Sequence, residues 1–309
     1  MYEQLSRGIT FYHVDEIEHK QLNVALSSWI EGKQPVYDFD PEHVTCGSIN
    51  EWQSQIIITV SGGYPPRLID SLRKNRDSGH QALAGWFEQC RSRRDRSFQY
   101  ALNIERDGCR DGLIAAYRGW LQRRWEIAQE LRAHNFDDLL PTSAVDTFHI
   151  ICGALKKPGL TDEQIGQRII DFLNSDKFRD MPVNLIATRL YAMIAYKAVN
   201  GQKRRPSPGM SKDIEIISTL MPYCDAMFID NECRSLLENT PRKYALDFPT
   251  RVFSQNIGDK FIKYLQDIEA NADPTLLKEV HQVYGEPTPF FTMYEVERQM
   301  NRSRELSQE

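Results

Sequence analysis

The feature that most constrains the fold is a long central stretch, residues 77–200, whose apolar side chains recur at helical spacing. Spacings of three and four residues place such side chains on one face of a helix. The stretch therefore predicts a block of amphipathic helices that ends at Asn200-Gly201, with interior breaks at Pro158-Gly159 and at 176–181. The apolar positions include Leu83, Trp86, Phe87, Cys90, Leu113, Tyr117, Trp120 and Leu121.

The N-terminal segment predicts a strand followed by a helix. Residues 9–14 are a β-rich run that stops at Asp15. From Ile17 onward the apolar residues take helical spacing as far as Gly32, which is a favourable helix stop. A second strand is predicted at residues 55–60.

After the basic segment Lys203-Arg204-Arg205, the sequence changes to alternating helices and strands. Helices joined in this way to short strands are typical of a parallel sheet with helical crossovers. The predicted elements are a helix at 211–221, a strand at 226–229, a helix at 231–239, a strand at 251–253 and a further helix around 261–268.

Composition is that of an ordinary globular protein. Of the 309 residues, 41% are hydrophobic and 26% are charged, and the formal net charge is −5. This charge argues against a protein that coats DNA but allows a local basic groove. The sequence shows neither a signal pattern nor a run of membrane-spanning length, and its six cysteines form no Cys-x-x-Cys pair. We therefore expect a cytoplasmic protein with reduced thiols and no membrane partner.

Three aspartates are positioned to converge on one crevice. Asp15 and Asp230 each follow a predicted strand, and Asp213 opens the helix that leads into the second strand. Ligands of open parallel sheets bind at the carboxyl ends of the strands, so neighbouring strands would bring these carboxylates together. Clustered carboxylates repel one another without a cation, and oxygen ligands suit Mg²⁺ or Mn²⁺. The alternative is structural, since aspartates at helix starts also cap helices and favour the helix dipole.

The segment from Asp213 to Asp230 resembles the C-terminal half of PIN-domain nucleases. In that family an aspartate starts a helix, and a short strand, here Ala226-Met-Phe-Ile, delivers a second aspartate at its tip. Arg251-Val-Phe-Ser and the helix after it are similar to the last strand and helix of that fold. The resemblance covers roughly residues 203–268.

The resemblance implies an α/β fold, a PIN-like Rossmannoid parallel sheet with a large helical insertion. The parts would be the N-terminal part of the PIN-like domain at 1–110, the helical insertion at 111–202, the C-terminal half at 203–270 and a peripheral helical tail at 271–309.

The resemblance also implies an acid after the first strand, a position that Asp15 takes. The family's Asp-x-Asn or Asp-x-Ser/Thr pattern is replaced here by His13-Val-Asp-Glu-Ile, which leaves Glu16 and Glu18 as substitutes.

A further implied acid lies on a helix, and Glu105 takes that position. It falls seven residues after Phe98 and four after Ala101, which places it on an apolar face. Asp225, which follows Pro222-Tyr-Cys, is either a turn residue or an additional partner of the metal site.

The function implied by the resemblance is metal-dependent hydrolysis of phosphodiester bonds, in single-stranded RNA rather than DNA. Mg²⁺ or Mn²⁺ would lower the pKa of a water that attacks in line. Lys203, Arg204 and Arg205 would contact the nucleic-acid backbone. The alternatives are a non-catalytic PIN-like protein whose helical block binds a protein partner or a second copy, and a small-molecule phosphoesterase.

Overall fold

The computed structural model describes residues 10–46, 66–130 and 142–271, and the chain divides into two compact units, Met1–Gln255 and Asn256–Glu309. The described helices of the first unit are α1 (Val14–Glu31), α2 (Pro66–Arg91), α3 (Phe98–Glu130), α4 (Ser143–Leu155), α5 (Asp162–Asn174), α6 (Asp176–Arg179), α7 (Pro182–Val199), α8 (Met210–Leu220) and α9 (Asn231–Asn239). The described part of the second unit is α10 (Gly258–Asn271) with the residues just before it.

The described strands are short and form two separate pairs. β1 (Thr10–Phe11) lies antiparallel to β2 (Thr45–Cys46). β3 (Ala226–Phe228) lies parallel to β4 (Arg251–Phe253), and one further hydrogen bond, from the backbone nitrogen of Ile229 to the oxygen of Phe253 at 2.9 Å, extends this ladder.

The predicted α/β class, a PIN-like Rossmannoid parallel sheet with a large helical insertion, is wrong, because the described chain is mostly helical. Among the described elements, the parallel sheet consists of two strands of three residues each. Strand β1 is not part of that sheet, because it pairs with β2. A sheet of this size cannot cover helices on two faces, so the helices bury their apolar faces against one another. The strand predicted at 55–60 lies outside the described residues.

The prediction of a helical block is confirmed wherever the structure describes it. The expected breaks are present, because α4 ends before Pro158-Gly159 and α6 is a single turn. Pro182 opens α7 at a position where its missing N–H costs nothing. Gly201 follows the end of α7 with φ 102°, a backbone conformation that favours glycine.

Helix α7 is the centre of the larger core. Eleven of its eighteen residues are buried, so it is apolar almost all round. It packs against α2, α3, α8 and α9. Helix α3 runs without a break across residue 110 and packs against both α7 and α4.

A second core holds α1 in place. Leu22, Ala25 and Leu26 of α1 pack against buried residues of α4 and α5, and Phe172 contacts the ring of Trp29 edge-on at 5.7 Å between centroids. Helix α1 ends at Gly32, as predicted, with φ 68° and its N–H bonded to the last turn. This packing fixes the side of α1 that carries Glu18.

Candidate metal centre and the acidic cavity at helix α1

The structure brings Asp213 and Asp230 together where α8 and α9 begin. Asp213 lies in the first turn of α8. Asp230 follows β3 and caps α9, where its carboxylate accepts a hydrogen bond from the backbone nitrogen of Cys233. Ligand atoms of these three residues lie within 4.8 Å of one another. We call Asp213 and Asp230 the carboxylate pair.

The carboxylate pair has no counter-cation within ion-pair distance in the described part of the chain, where the ion pairs involve other acids. Burial raises the pKa of Asp213, and the negative charge of Asp230 raises it further. A divalent cation between the two carboxylates would reverse this effect, because it is a large positive charge at short range.

Removing one charge of the pair is therefore expected to stabilise the metal-free protein. Asp213→Asn should raise the free energy of unfolding at pH 7 by on the order of 0.5 kcal/mol, as for other like-charge pairs near solvent. The raised pKa means that the native state favours protonated Asp213, so this advantage should fade as the pH falls toward the ordinary aspartate range. Urea denaturation in EDTA at pH 7 and pH 4 measures both values. A variant less stable than the wild type at pH 7 would contradict the repulsion.

Cys233 was not singled out in the sequence, although it stands three residues after Asp230 in the first turn of α9. Its side chain is buried, and its sulfur lies 3.5 Å from the sulfur of Met210. Burial and the neighbouring charges of Asp230 and Asp213 strongly raise the pKa of the thiol. The thiol is therefore protonated in the metal-free protein, and the two carboxylates are the charged donors of this group.

The capping role of Asp230 can be separated from its charge. Asp230→Ala removes the acceptor for the Cys233 N–H and should lower the free energy of unfolding by about 1 kcal/mol. Asp230→Asn keeps an acceptor oxygen and removes the charge, so it should be at least as stable as the wild type. Thermal melts of the three proteins in EDTA make the comparison. Equal stability of the alanine and asparagine variants would show that the cap contributes nothing.

The predicted basic segment precedes α8, and its residues interact with acids of two different helices. Lys203, Arg204 and Arg205 are exposed. The charge of Arg204 acts on Glu232, whose pKa is raised by burial and lowered by this arginine. Arg205 forms an ion pair with Glu88 at 2.9 Å. Of this segment, Arg204 is therefore the residue whose charge reaches an acid of α9, and Arg205 is held by α2.

The four-acid site that the resemblance implied is not assembled, and Glu105 is one acid that stands apart. It lies on α3 with 14% of its side chain exposed, as its apolar face predicted, and its Oε1 is 3.6 Å from a guanidinium nitrogen of Arg93. Burial raises the pKa of Glu105, and Arg93 opposes that effect. Glu105 is not part of the ligand group of Asp213 and Asp230.

Asp15 also stands apart from the carboxylate pair. Helix α1 already begins at Val14, so Asp15 lies in its first turn and not at a strand end. Its carboxylate accepts a hydrogen bond from the Ser143 hydroxyl at 2.8 Å and lies 3.2 Å from His13 Nδ1. Its substitute Glu16 is exposed to solvent on the same helix.

Asp225 lies at the opposite end of β3 from Asp230. Its backbone oxygen accepts a hydrogen bond from Arg251 at 2.9 Å, which starts the parallel ladder. Asp230 is five positions after Asp225, which is about 16 Å along an extended chain, since a strand rises about 3.3 Å per residue. Asp225 is therefore a turn residue in this structure and is too far along the strand to share a cation with Asp230.

A second acidic region surrounds a cavity of about 390 Å³, which we call the α1 cavity. It lies among α1, α3, α4 and the stretch from α6 to the first turn of α7, with one residue of α8. Its polar lining includes Asp15, Glu18, His19, Ser143, Thr147 and Glu215.

Glu18 is the most perturbed carboxyl of the α1 cavity. Burial raises its pKa to about 7, with further contributions from the charges of Asp15 and Glu215. The Thr219 hydroxyl, 3.5 Å from Glu18 Oε1, opposes this effect. The sequence contained a signal for this burial, because Glu18 precedes the core residue Leu22 by four positions and so shares its helix face.

No family model matches the chain, and comparisons with curated proteins and with solved structures found no match. None of the described helices is both long enough and apolar enough to cross a membrane. The five cysteines that the structure describes as thiols are unpaired.

Proposed function

We propose that this protein is a metal-dependent nuclease that hydrolyses phosphodiester bonds at the carboxylate pair. One observation carries the proposal: Asp213 and Asp230 approach within 4.8 Å with Cys233, and in the described residues no cation neutralises them. The PIN-like fold no longer supports this function, so the proposal rests on the pair itself.

The donor set fits Mg²⁺ or Mn²⁺. Mg²⁺ commonly binds through one or two carboxylates and keeps several waters, so two aspartates are sufficient protein ligands. Such an ion supplies an activated water and stabilises the charge that develops on the leaving oxygen. Asp213 and Asp230 would hold and orient the ion, and the hydrogen bond from the Cys233 N–H would fix the Asp230 carboxylate in place.

The substrate that we propose is single-stranded RNA, with DNA as the comparison. Exposed Lys203 and Arg204, together with the Glu88-bound Arg205, lie in the segment that leads into α8 and present positive charge for a phosphate backbone. Phosphate contacts of this kind are independent of sequence and weaken with salt.

Incubation of the full chain with end-labelled single-stranded RNA, single-stranded DNA and p-nitrophenyl phosphate tests the proposal. Each substrate is offered with Mg²⁺, with Mn²⁺ and with EDTA. We expect shortening of a nucleic acid only with the metal, and less of it at high salt. Cleavage of p-nitrophenyl phosphate alone would replace the nuclease with a small-molecule phosphoesterase. Inactivity on all three substrates would overturn the proposal.

A further inference from the structure

The α1 cavity is unbalanced in charge. Three carboxylates line it, those of Asp15, Glu18 and Glu215, and none of its described lining residues is lysine or arginine. Lys212 pairs with Glu215 at 2.7 Å from the exposed side of α8. Among described residues no ion pair reaches Glu18: the Thr219 hydroxyl lies 3.5 Å from its Oε1, and the charge of Lys212 is the smallest of the influences on its pKa.

The α1 cavity also has an apolar wall. Leu22, Phe178 and Met181 line it and are buried, and Leu113 completes this side. A volume of about 390 Å³ is within the usual range of small-molecule sites, roughly 300–1,000 Å³. Hydroxyl and amide groups complete the lining at Ser143, Thr147 and Asn184.

The arrangement differs from that of a metal centre. Among the described residues, the Asp213 group brings three donor atoms within 4.8 Å of one another, and the residues of the α1 cavity form no such group of three. The carboxylates of the cavity come from two helices, α1 and α8, and face an apolar wall. Acids dispersed around a partly apolar space match a cation that has its own carbon skeleton.

We propose that the α1 cavity binds a small organic cation, a primary amine on an apolar stem, with the ammonium between Glu18 and Glu215 and the stem against Phe178. The ammonium would place a positive charge in direct contact with Glu18, which no described ion pair reaches, and a charge-assisted hydrogen bond to a carboxylate is among the stronger polar contacts. Displacing water from Phe178, Leu22 and Met181 would add apolar stabilisation.

This site is distinct from the proposed metal centre. Glu215 follows Asp213 by two residues, which is about 200° around a helix, so their side chains leave α8 on different sides. If no nuclease activity were found, the proposal for the cavity would be unaffected. If no amine bound, the nuclease proposal would be unaffected.

Calorimetric titration of the full chain at pH 8 in EDTA tests the proposal with phenethylamine, and 2-phenylethanol serves as the neutral comparison. We expect binding of the amine and not of the alcohol. Glu18→Gln should weaken amine binding by about tenfold or more, because one charge-assisted hydrogen bond contributes at least about 1.5 kcal/mol. Glu16→Gln, which removes an exposed carboxylate from the same helix, should bind as the wild type does.

Three results would overturn the proposal. One is the absence of amine binding to a wild type that melts cooperatively. Another is equal binding by the wild type and Glu18→Gln. The third concerns Mn²⁺ binding measured without EDTA. If Asp213→Asn still bound Mn²⁺ and Glu18→Gln did not, the cavity would be a metal site. Glu215→Gln provides a second variant, from another helix. It should also weaken phenethylamine binding, whereas the control variant Glu16→Gln should not.

Discussion

Replacing either aspartate of the carboxylate pair with asparagine is expected to reduce Mn²⁺-dependent cleavage of single-stranded RNA by at least about 100-fold. Each replacement removes a charged ligand while keeping the size of the side chain. A loss of 100-fold corresponds to about 3 kcal/mol, within the several kcal/mol that a catalytic metal contributes. The effect is measured by comparing the initial rates of Asp213→Asn and Asp230→Asn with that of the wild type, at Mn²⁺ and RNA concentrations that saturate the wild type.

Glu105→Gln is the matched control for this prediction. The sequence implied Glu105 as a ligand, but the structure places it against Arg93, so cleavage should persist in this variant. A thermal melt confirms that each variant is folded. Full activity in both asparagine variants, or a loss of activity in Glu105→Gln alone, would show that cleavage does not take place at the carboxylate pair.

Glu18→Gln is expected to stabilise the protein by about 3 kcal/mol at pH 8. The pKa of Glu18 is raised from 4.5 to about 7, and one pKa unit corresponds to about 1.4 kcal/mol. The neutral carboxyl favours the native state, so its stabilising contribution is complete below pH 4.5 and is lost as the pH rises through 7. Glutamine stays neutral at every pH and has nearly the same size and shape as the protonated glutamate.

Urea denaturation of the wild type and Glu18→Gln between pH 4.5 and pH 8 makes this test. The two curves of free energy against pH should coincide at the acidic end and separate as the pH rises. Glu16→Gln is the control, because its exposed carboxylate should produce no such separation. Parallel curves for the wild type and Glu18→Gln would mean that Glu18 is not held in a buried acidic environment.

The local parts of the fold follow from the sequence. The spacing from Ile17 onward and the stop at Gly32 predict α1, and the helix, turn and strand from Asp213 to Asp230 predict the approach of these two aspartates. A short segment determines each of these features, because the turn between helix and strand leaves few ways to arrange them.

The fold class depended on long-range pairing that the sequence does not specify. The predicted strands that fall within the described residues are two or three residues long, and such short runs do not specify their partners. Asp15 would have joined the site only if β1 lay beside β3, whereas β1 pairs with β2. A fold built on helix packing therefore separates acids that a Rossmannoid sheet would have gathered.

The spacing of residues along a helix indicates which acidic side chains are buried, but it does not indicate which residues of other helices lie next to them. Glu105 and Glu18 both lie on apolar faces by their spacing, and both are largely buried. Arg93 reaches Glu105 from the segment between α2 and α3, whereas the charges of Asp15 and of Glu215 on α8 act on Glu18. That difference arises from tertiary contacts, and it makes Glu105 a partner in an ion pair and Glu18 part of a cavity.

Direct titration with Mn²⁺, followed by the loss of the free-ion electron paramagnetic resonance signal, tests the central claim. The comparison is between the wild type and the double variant Asp213→Asn/Asp230→Asn, in which the cap of α9 is retained. We predict that the wild type binds one ion per chain and that the double variant binds none over the same concentrations. Equal binding by the two proteins, or no binding by the wild type, would contradict a metal centre at the carboxylate pair.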